Sequence, residues 1–184
     1  VSLSVAEGEI TGLIGPNGAG KTTTFNVITG LQAPTHGTVR LAGEDITAVP
    51  AHKRARLGIA RTFQRLELFG SLSVRDNVLT AAEMHVDNKG AAQARADELV
   101  ETVGLGGSAD KRADELSTGS ARQLELARAM ACQPRVLLLD EPASGLDEAE
   151  TDRFAEILVE LAATGLGLLI VEHDVPLVVR LCHQ

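Results

Sequence analysis

A chain of 184 residues with 44% hydrophobic and 23% charged side chains is long enough to bury one sizeable core and too apolar to stay disordered. Its formal net charge of −8 excludes the basic excess of a nonspecific DNA- or RNA-binding surface. With four Phe and no Trp or Tyr, it also lacks the usual stacking platforms for single strands, so no nucleic-acid partner is expected.

The best apolar run, from Gly165 to Val171, falls far short of a membrane span, and the first residues lack the pattern of a signal peptide. Cys132 and Cys182 are spaced neither as a disulfide framework nor as a zinc site. These features predict a cytosolic α/β chain with an aliphatic core. The abrupt beginning at Val1-Ser2-Leu3 and the end at Cys182-His183-Gln184 predict a chain trimmed at both ends.

In chain order, Ile10 to Ile14 reads as a short apolar strand, followed at once by a glycine-rich turn and a helix from about Lys21 to Thr29. Thr38 to Leu41 alternates as a half-buried strand and ends at the Ala42-Gly43 turn. Ala51 to Leu57 forms a short basic helix, and Ile59 to Phe63 a further strand. From Val74 to about Val103 the chain is helical, with a break near Asp87–Gly90. Gly104 to Asp110 is a loop, and helical periodicity returns from Arg122 to Cys132.

Val136 to Leu139 is a continuous apolar run ending at Asp140, the pattern of a strand buried on both faces. A helix from Glu148 to Ala163, a buried strand from Gly167 to Val171, and a last amphipathic helix capped by Asp174 complete the chain. Strands alternating with helices predict a largely parallel sheet, with the helical stretch of residues 72–132 inserted between two of its strands.

Gly15-Pro16-Asn17-Gly18-Ala19-Gly20-Lys21-Thr22-Thr23 fits G-x-x-x-x-G-K-[ST] between a strand and a helix. Glycines let successive N–H groups curl toward phosphate oxygens, and the helix adds its positive end. Lys21 reaches the β- and γ-phosphates, and the Thr22 hydroxyl suits Mg²⁺. This pattern specifies a nucleoside triphosphate site.

Asp140-Glu141-Pro142 leaves a buried strand. Beside a P-loop, Asp140 is placed to hold Mg²⁺ and Glu141 to polarise an attacking water; read alone, the pair is an acidic strand exit. Ser117 and Gly119, in Leu116-Ser117-Thr118-Gly119-Ser120, read alone as an ordinary helix start that could also bind an anion. His173 at a strand exit is by itself more often a capping or core residue, and Gln64 by itself a surface one.

The order of these segments, together with Ser144-Gly145-Leu146-Asp147, strongly resembles the nucleotide-binding subunit of ABC transporters over nearly the whole chain. Gly58-Ile59-Ala60-Arg61-Thr62-Phe63-Gln64, Leu68-Phe69 and Asn77-Val78-Leu79 further resemble the branched-chain amino-acid importer group. The resemblance implies a P-loop NTPase fold: a mainly parallel sheet, a small antiparallel β subdomain and an inserted helical subdomain at about residues 72–132. It implies ATP hydrolysis with Mg²⁺ in a head-to-tail pair of identical or different subunits, bound to transmembrane permease subunits at the cytoplasmic face.

Carried over, Gly15 to Thr23 binds ATP, Thr22, Gln64 and Asp140 serve Mg²⁺, Glu141 is the general base, and His173 holds the γ-phosphate and attacking water. Ser117 and Gly119 of the partner subunit close the site, and Asp147 lies at the dimer interface. The helical subdomain docks on the permease.

Two features depart from the family. Thr118 and Ser120 replace a Gly and the Gln of the usual Leu-Ser-Gly-Gly-Gln, and the aromatic that stacks on adenine normally lies upstream of Val1. The alternatives are a non-transport ABC ATPase and a nucleotide-binding module with little turnover. The former is disfavoured in its DNA-repair form, because no long heptad insertion separates Lys21 from Ser117.

Overall fold

The computed structural model describes residues 1–16, 18–62, 66–173 and 175–182. Four strands form one sheet: β1 (Ile10–Leu13), β4 (Ile59–Arg61), β5 (Val136–Asp140) and β6 (Gly167–Val171), in the order β1-β6-β5-β4. All three pairings are parallel. Two further strands, β2 (Arg40–Leu41) and β3 (Glu44–Asp45), pair antiparallel across the Ala42-Gly43 turn. The first strand is shorter than the expected Thr38–Leu41, and the return strand offers no hydrophobic alternation to read.

Both faces of the four-stranded sheet are covered. Leu137, Leu139, Leu168 and Ile170 enter the larger core, while Leu138, Leu169 and Val171 enter the smaller core with Phe25, Ile46 and Ile59. Successive strand residues point to opposite faces, so a sheet covered on both sides produces the unbroken run Leu137-Leu138-Leu139. Each fully buried leucine is worth about 1.5–3 kcal/mol relative to exposure.

The helices are α1 (Lys21–Thr29), α2 (Ala51–Arg56), α3 (Val74–Ala82), α4 (Lys89–Thr102), α5 (Thr118–Ala131), α6 (Glu148–Ala163) and α7 (Val175–Leu181). Residues of α3, α4 and α5 pack on one another, and all three lie in sequence between the paired strands β4 and β5. An isolated bridge between Ser73 and Arg112 ties the two ends of the α3–α4 segment together.

Asn77, fully buried in α3, donates from Nδ2 to the carbonyls of Phe69 and Ser73 and accepts the Phe69 N–H at Oδ1. From α5, the Arg128 guanidinium lies 4.8 Å over the Phe69 ring and donates to the Glu67 carbonyl. The segment after residue 65 is thereby tied to two helices.

Caps explain most helix starts. Ser73, Asn88 and Ser117 accept N–H groups of the first turns of α3, α4 and α5, and Asp147 with Glu150 forms a reciprocal capping box on α6. Helix α5 therefore begins at Thr118, not Arg122, and Gly119 lies within its first turn. The expected loop at Gly104–Asp110 contains a 3₁₀ turn, Gly106–Ser108.

The short basic helix α2 hides one of its cations. Arg54 is 2% exposed, and its guanidinium donates to the carbonyls of Val49, Val27, Ile28 and Thr47 at 2.7–2.8 Å. Two of those carbonyls belong to the last turn of α1, where a cation also complements the helix dipole. Burial draws the Arg54 pKa below the usual guanidinium value.

Candidate functional site

The register brings the ends of three strands into one row: Leu13 pairs with Val171, and Asp140 also pairs with Val171. Because the strands are parallel, the segments leaving them emerge on the same edge. These are the glycine-rich loop after β1, Asp140-Glu141 at the end of β5, and Glu172-His173 after β6. A carboxyl-end edge of this kind is where open α/β sheets bind ligands.

In the loop, Gly18 and Gly20 adopt φ of +81° and +89°, values open to glycine without strain. Gly20 is also the N-cap of α1 and supplies no side-chain acceptor, unlike the caps of α3 to α6. The first N–H groups of α1 therefore face the loop mouth, with the exposed hydroxyls of Thr22 and Thr23 beside them. Ala19 N–H donates to the Pro16 carbonyl, and Lys21 Nζ donates to the carbonyls of Gly15 at 2.6 Å and Pro16 at 3.1 Å. The lysine thus arches over its own loop. Asn17 and Gln64 lie outside the described residues, as do Phe63 and the expected cap Asp174.

At the neighbouring strand ends, His173 Nε2 and Glu141 Oε1 are 2.7 Å apart, a separation at which the imidazole N–H donates to an ionised carboxylate. Glu141 takes φ +50°, a left-handed conformation uncommon for a non-glycine residue. Asp140 is buried and accepts from Arg61 Nη2 at 2.9 Å. Arg61 also donates from Nη1 to Asn26 Oδ1 at 2.7 Å and lies 5.3 Å over the Phe25 ring. This buried pair ties β4, β5 and α1 together, and removing either partner strands a charge at a cost of about 3–5 kcal/mol. Sequence reasoning passed over Arg61; its one signal is a cation ending a strand beside an apolar run.

Of the residues expected at Mg²⁺, Thr22 and Asp140 are described and both offer oxygen, the first exposed and the second buried against Arg61. Among the described residues no group of three or more His, Cys, Asp or Glu could hold a metal. That sparse oxygen set fits an ion held mainly by phosphates and waters and does not fit an all-protein cage.

Ser117 and Gly119 lie elsewhere. Ser117 Oγ accepts the Ser120 N–H at 3.2 Å, and Gly119 is buried against Glu150 at the start of α6. Gly145, at φ +84°, packs beside Thr118. The structure thus joins Thr118 and Gly119, next to Ser117, to the Gly145–Glu150 segment that contains Asp147. Among the described residues, no hydrogen bond links them to Lys21 or Thr22 in the same chain.

Residues 1–144 match the ABC transporter family. The chain belongs to that family. It is the ATP-binding subunit of an ABC transporter, and its activity is ATP hydrolysis. It is 39% identical to the high-affinity branched-chain amino acid transport ATP-binding protein BraF of Pseudomonas aeruginosa, over 98% of this chain and 77% of that one. It is 40% identical to LivG of Salmonella typhimurium, of the same description, over 97% of this chain and 76% of that one. It is also 40% identical to the lipopolysaccharide export system ATP-binding protein LptB of Acidithiobacillus ferridurans, over 100% and 76%.

Among solved structures, the ADP conformation of MJ1267, an ATP-binding cassette of an ABC transporter, superposes with a TM-score of 0.88 at 30% identity, covering 99% of this chain and 77% of that one. The protein cbiO1 of Clostridium perfringens, part of the ABC transporter complex cbiONQ, superposes with a TM-score of 0.91 at 28% identity, over 99% and 74%. The fold expected from sequence is thereby established, as a P-loop NTPase cassette with a parallel core and a small antiparallel sheet. Among the described residues no helix is long and apolar enough to cross a membrane.

Proposed function

We propose that this ATPase powers solute import, of branched-chain or related amino acids, through separate transmembrane permease subunits at the cytoplasmic face. The hydrolytic part of the reading rests on one observation: Glu141 and His173 meet at 2.7 Å on the sheet edge from which the Gly15–Thr23 loop also emerges. In this reading the loop N–H groups and Lys21 bind the ATP phosphates, and Thr22, Asp140 and Gln64 would hold Mg²⁺, which would neutralise charge on the phosphates. Glu141 accepts a proton from the attacking water, and His173 fixes the carboxylate and the γ-phosphate.

Ser117 and Gly119 of the partner subunit close the site. In this reading Asp147, in the Gly145–Glu150 segment that packs beside them in the same chain, lies at the same interface. The helical stretch at about residues 72–132 is the subdomain that meets the permease. Hydrolysis then reports closure of the pair, because only the closed state presents both sets of donors to the γ-phosphate.

The amino-acid cargo is favoured by the BraF and LivG relatives and by the Gly58–Gln64 motif. Lipopolysaccharide export is the second reading, favoured by the equal identity to LptB. Two experiments test the proposal. Substituting Glu141→Gln lowers steady-state phosphate release by about 10²-fold or more and accumulates an ATP-dependent dimer in light scattering. An unchanged rate removes Glu141 from the chemistry. Complementation of a strain lacking its own leucine-import ATPase restores uptake of labelled leucine, whereas rescue of a strain lacking the export ATPase instead supports the second reading.

A further inference from the structure

Glu172 is 5% exposed, yet its carboxylate makes two backbone contacts that the site as read from sequence does not use. Oε1 accepts the Ala143 N–H at 2.8 Å, and Oε2 accepts the His173 N–H at 3.1 Å. One donor belongs to the loop that carries Glu141 and the other to the residue that Glu141 contacts.

The loop needs holding. Glu141 sits at φ +50° and precedes Pro142, whose ring steers the preceding residue toward extended conformations. A non-glycine residue in the left-handed region persists only where its surroundings over-determine it. Here both flanks are bonded to the end of β6: Glu141 N–H to the Val171 carbonyl at 2.8 Å, and Ala143 N–H to Glu172. Hydrogen bonds to an ionised acceptor are the strong ones, and burial strengthens them further.

We propose that Glu172 is a positioning residue for hydrolysis: its carboxylate staples the Glu141 turn to the His173 backbone and so sets the 2.7 Å approach of the two side chains. The proposal rests on the reading of Glu141 and His173 given above. Glu172→Gln is nearly isosteric but sets an amide N–H₂ against one of the two backbone N–H donors; Glu172→Ala removes both acceptors.

The test measures kcat and KM for ATP, melting temperature, and direct affinity for a fluorescent ATP analogue. It covers wild type, E172Q, E172A, H173A, E141Q and the E172Q/H173A pair. Misplacing a reacting group by about 1 Å costs on the order of 10²-fold. E172Q is therefore expected to lower kcat by about 10- to 100-fold, with KM and analogue affinity unchanged within about threefold, and E172A to lower kcat further.

In the H173A background E172Q is expected to cost little more, because the two act through one contact. A kcat within twofold of wild type in E172Q, a rise in KM alone, or full multiplication of the two losses in the pair overturns the proposal. E141Q separates the two levels of the argument. If E141Q is inactive while E172Q turns over normally, only the Glu172 proposal fails. A wild-type rate in E141Q overturns the underlying reading as well. Should E172A not fold, E172Q decides alone.

Discussion

Gly119→Ala separates two reasons for a glycine at the start of α5. A Cβ there would lie 2.4 Å from Glu150 Oε1 and 2.6 Å from its Cδ, so the carboxylate must swing away. That swing gives up the bond from Asp147 N–H to Glu150 Oε2, 3.1 Å long, while the bond from Glu150 N–H to Asp147 Oδ1 at 2.7 Å survives. One such bond is worth about 0.5–1.5 kcal/mol. Against it, replacing a helical glycine with alanine stabilises by up to about 1 kcal/mol.

The two nearly cancel, so the melting temperature is expected to move by no more than about 4 °C for a domain of this size. Turnover behaves differently if Gly119 brings its backbone against the γ-phosphate bound by the partner: obstructing one such donor costs about 10²- to 10³-fold in kcat. The assay pairs calorimetry with steady-state phosphate release on G119A and on G119A/E150A. The second substitution removes the clash but also the Glu150 acceptor, so it is expected to restore neither the Asp147 bond nor the lost turnover. Recovery of turnover by E150A would refute the phosphate role and leave Gly119 as a packing residue.

Two further outcomes follow from buried groups. Arg54→Ala strips donors from four carbonyls, and with water entering the gap the loss is expected at about 3 kcal/mol, read as a fall in the urea midpoint at unchanged slope. A loss below about 1 kcal/mol would show that these carbonyls find other partners. Burial raises the Cys132 and Cys182 thiol pKa values, so both hold less thiolate than a free cysteine at pH 8. Alkylation by iodoacetamide is therefore expected to be slower than for glutathione until urea unfolds the chain. Equal rates in the folded protein would contradict the burial.

Legibility in the sequence followed locality. The helices Lys21–Thr29 and Glu148–Ala163 and the strand Gly167–Val171 begin and end where read, because glycine turns and a capping box punctuate them. Helix α5 was misread at its start because its apolar periodicity begins only at Leu124, whereas the Ser117 cap sets the first turn. Arg54 reads as one more cation on a solvated face; only the tertiary arrangement shows carbonyls of α1 converging on it. Arg61 and Glu172 were missed for the same reason. Each acts on a residue brought near by strand pairing, and neither the Gly58–Gln64 motif around Arg61 nor the sequence flanking His173 shows that partner.

The pairing of β4 with β5 also bears on how the molecule assembles. Arg61 and Leu138 pair across neighbouring strands, yet the whole of α3, α4 and α5 intervenes between them in sequence. Those helices pack mainly on one another, across shorter sequence separations than the β4–β5 pairing, and the Ser73–Arg112 bridge closes their base. Short-range contacts form fast and long-range strand pairing forms slowly. If the helical block collapses first, it shortens the effective loop that β4–β5 pairing must close; a fourfold shortening lowers the barrier by about 1.2 kcal/mol. The edge bearing Asp140, Glu141 and His173 is then completed late, so a half-folded chain carries the helical block before it carries any means of turning over ATP.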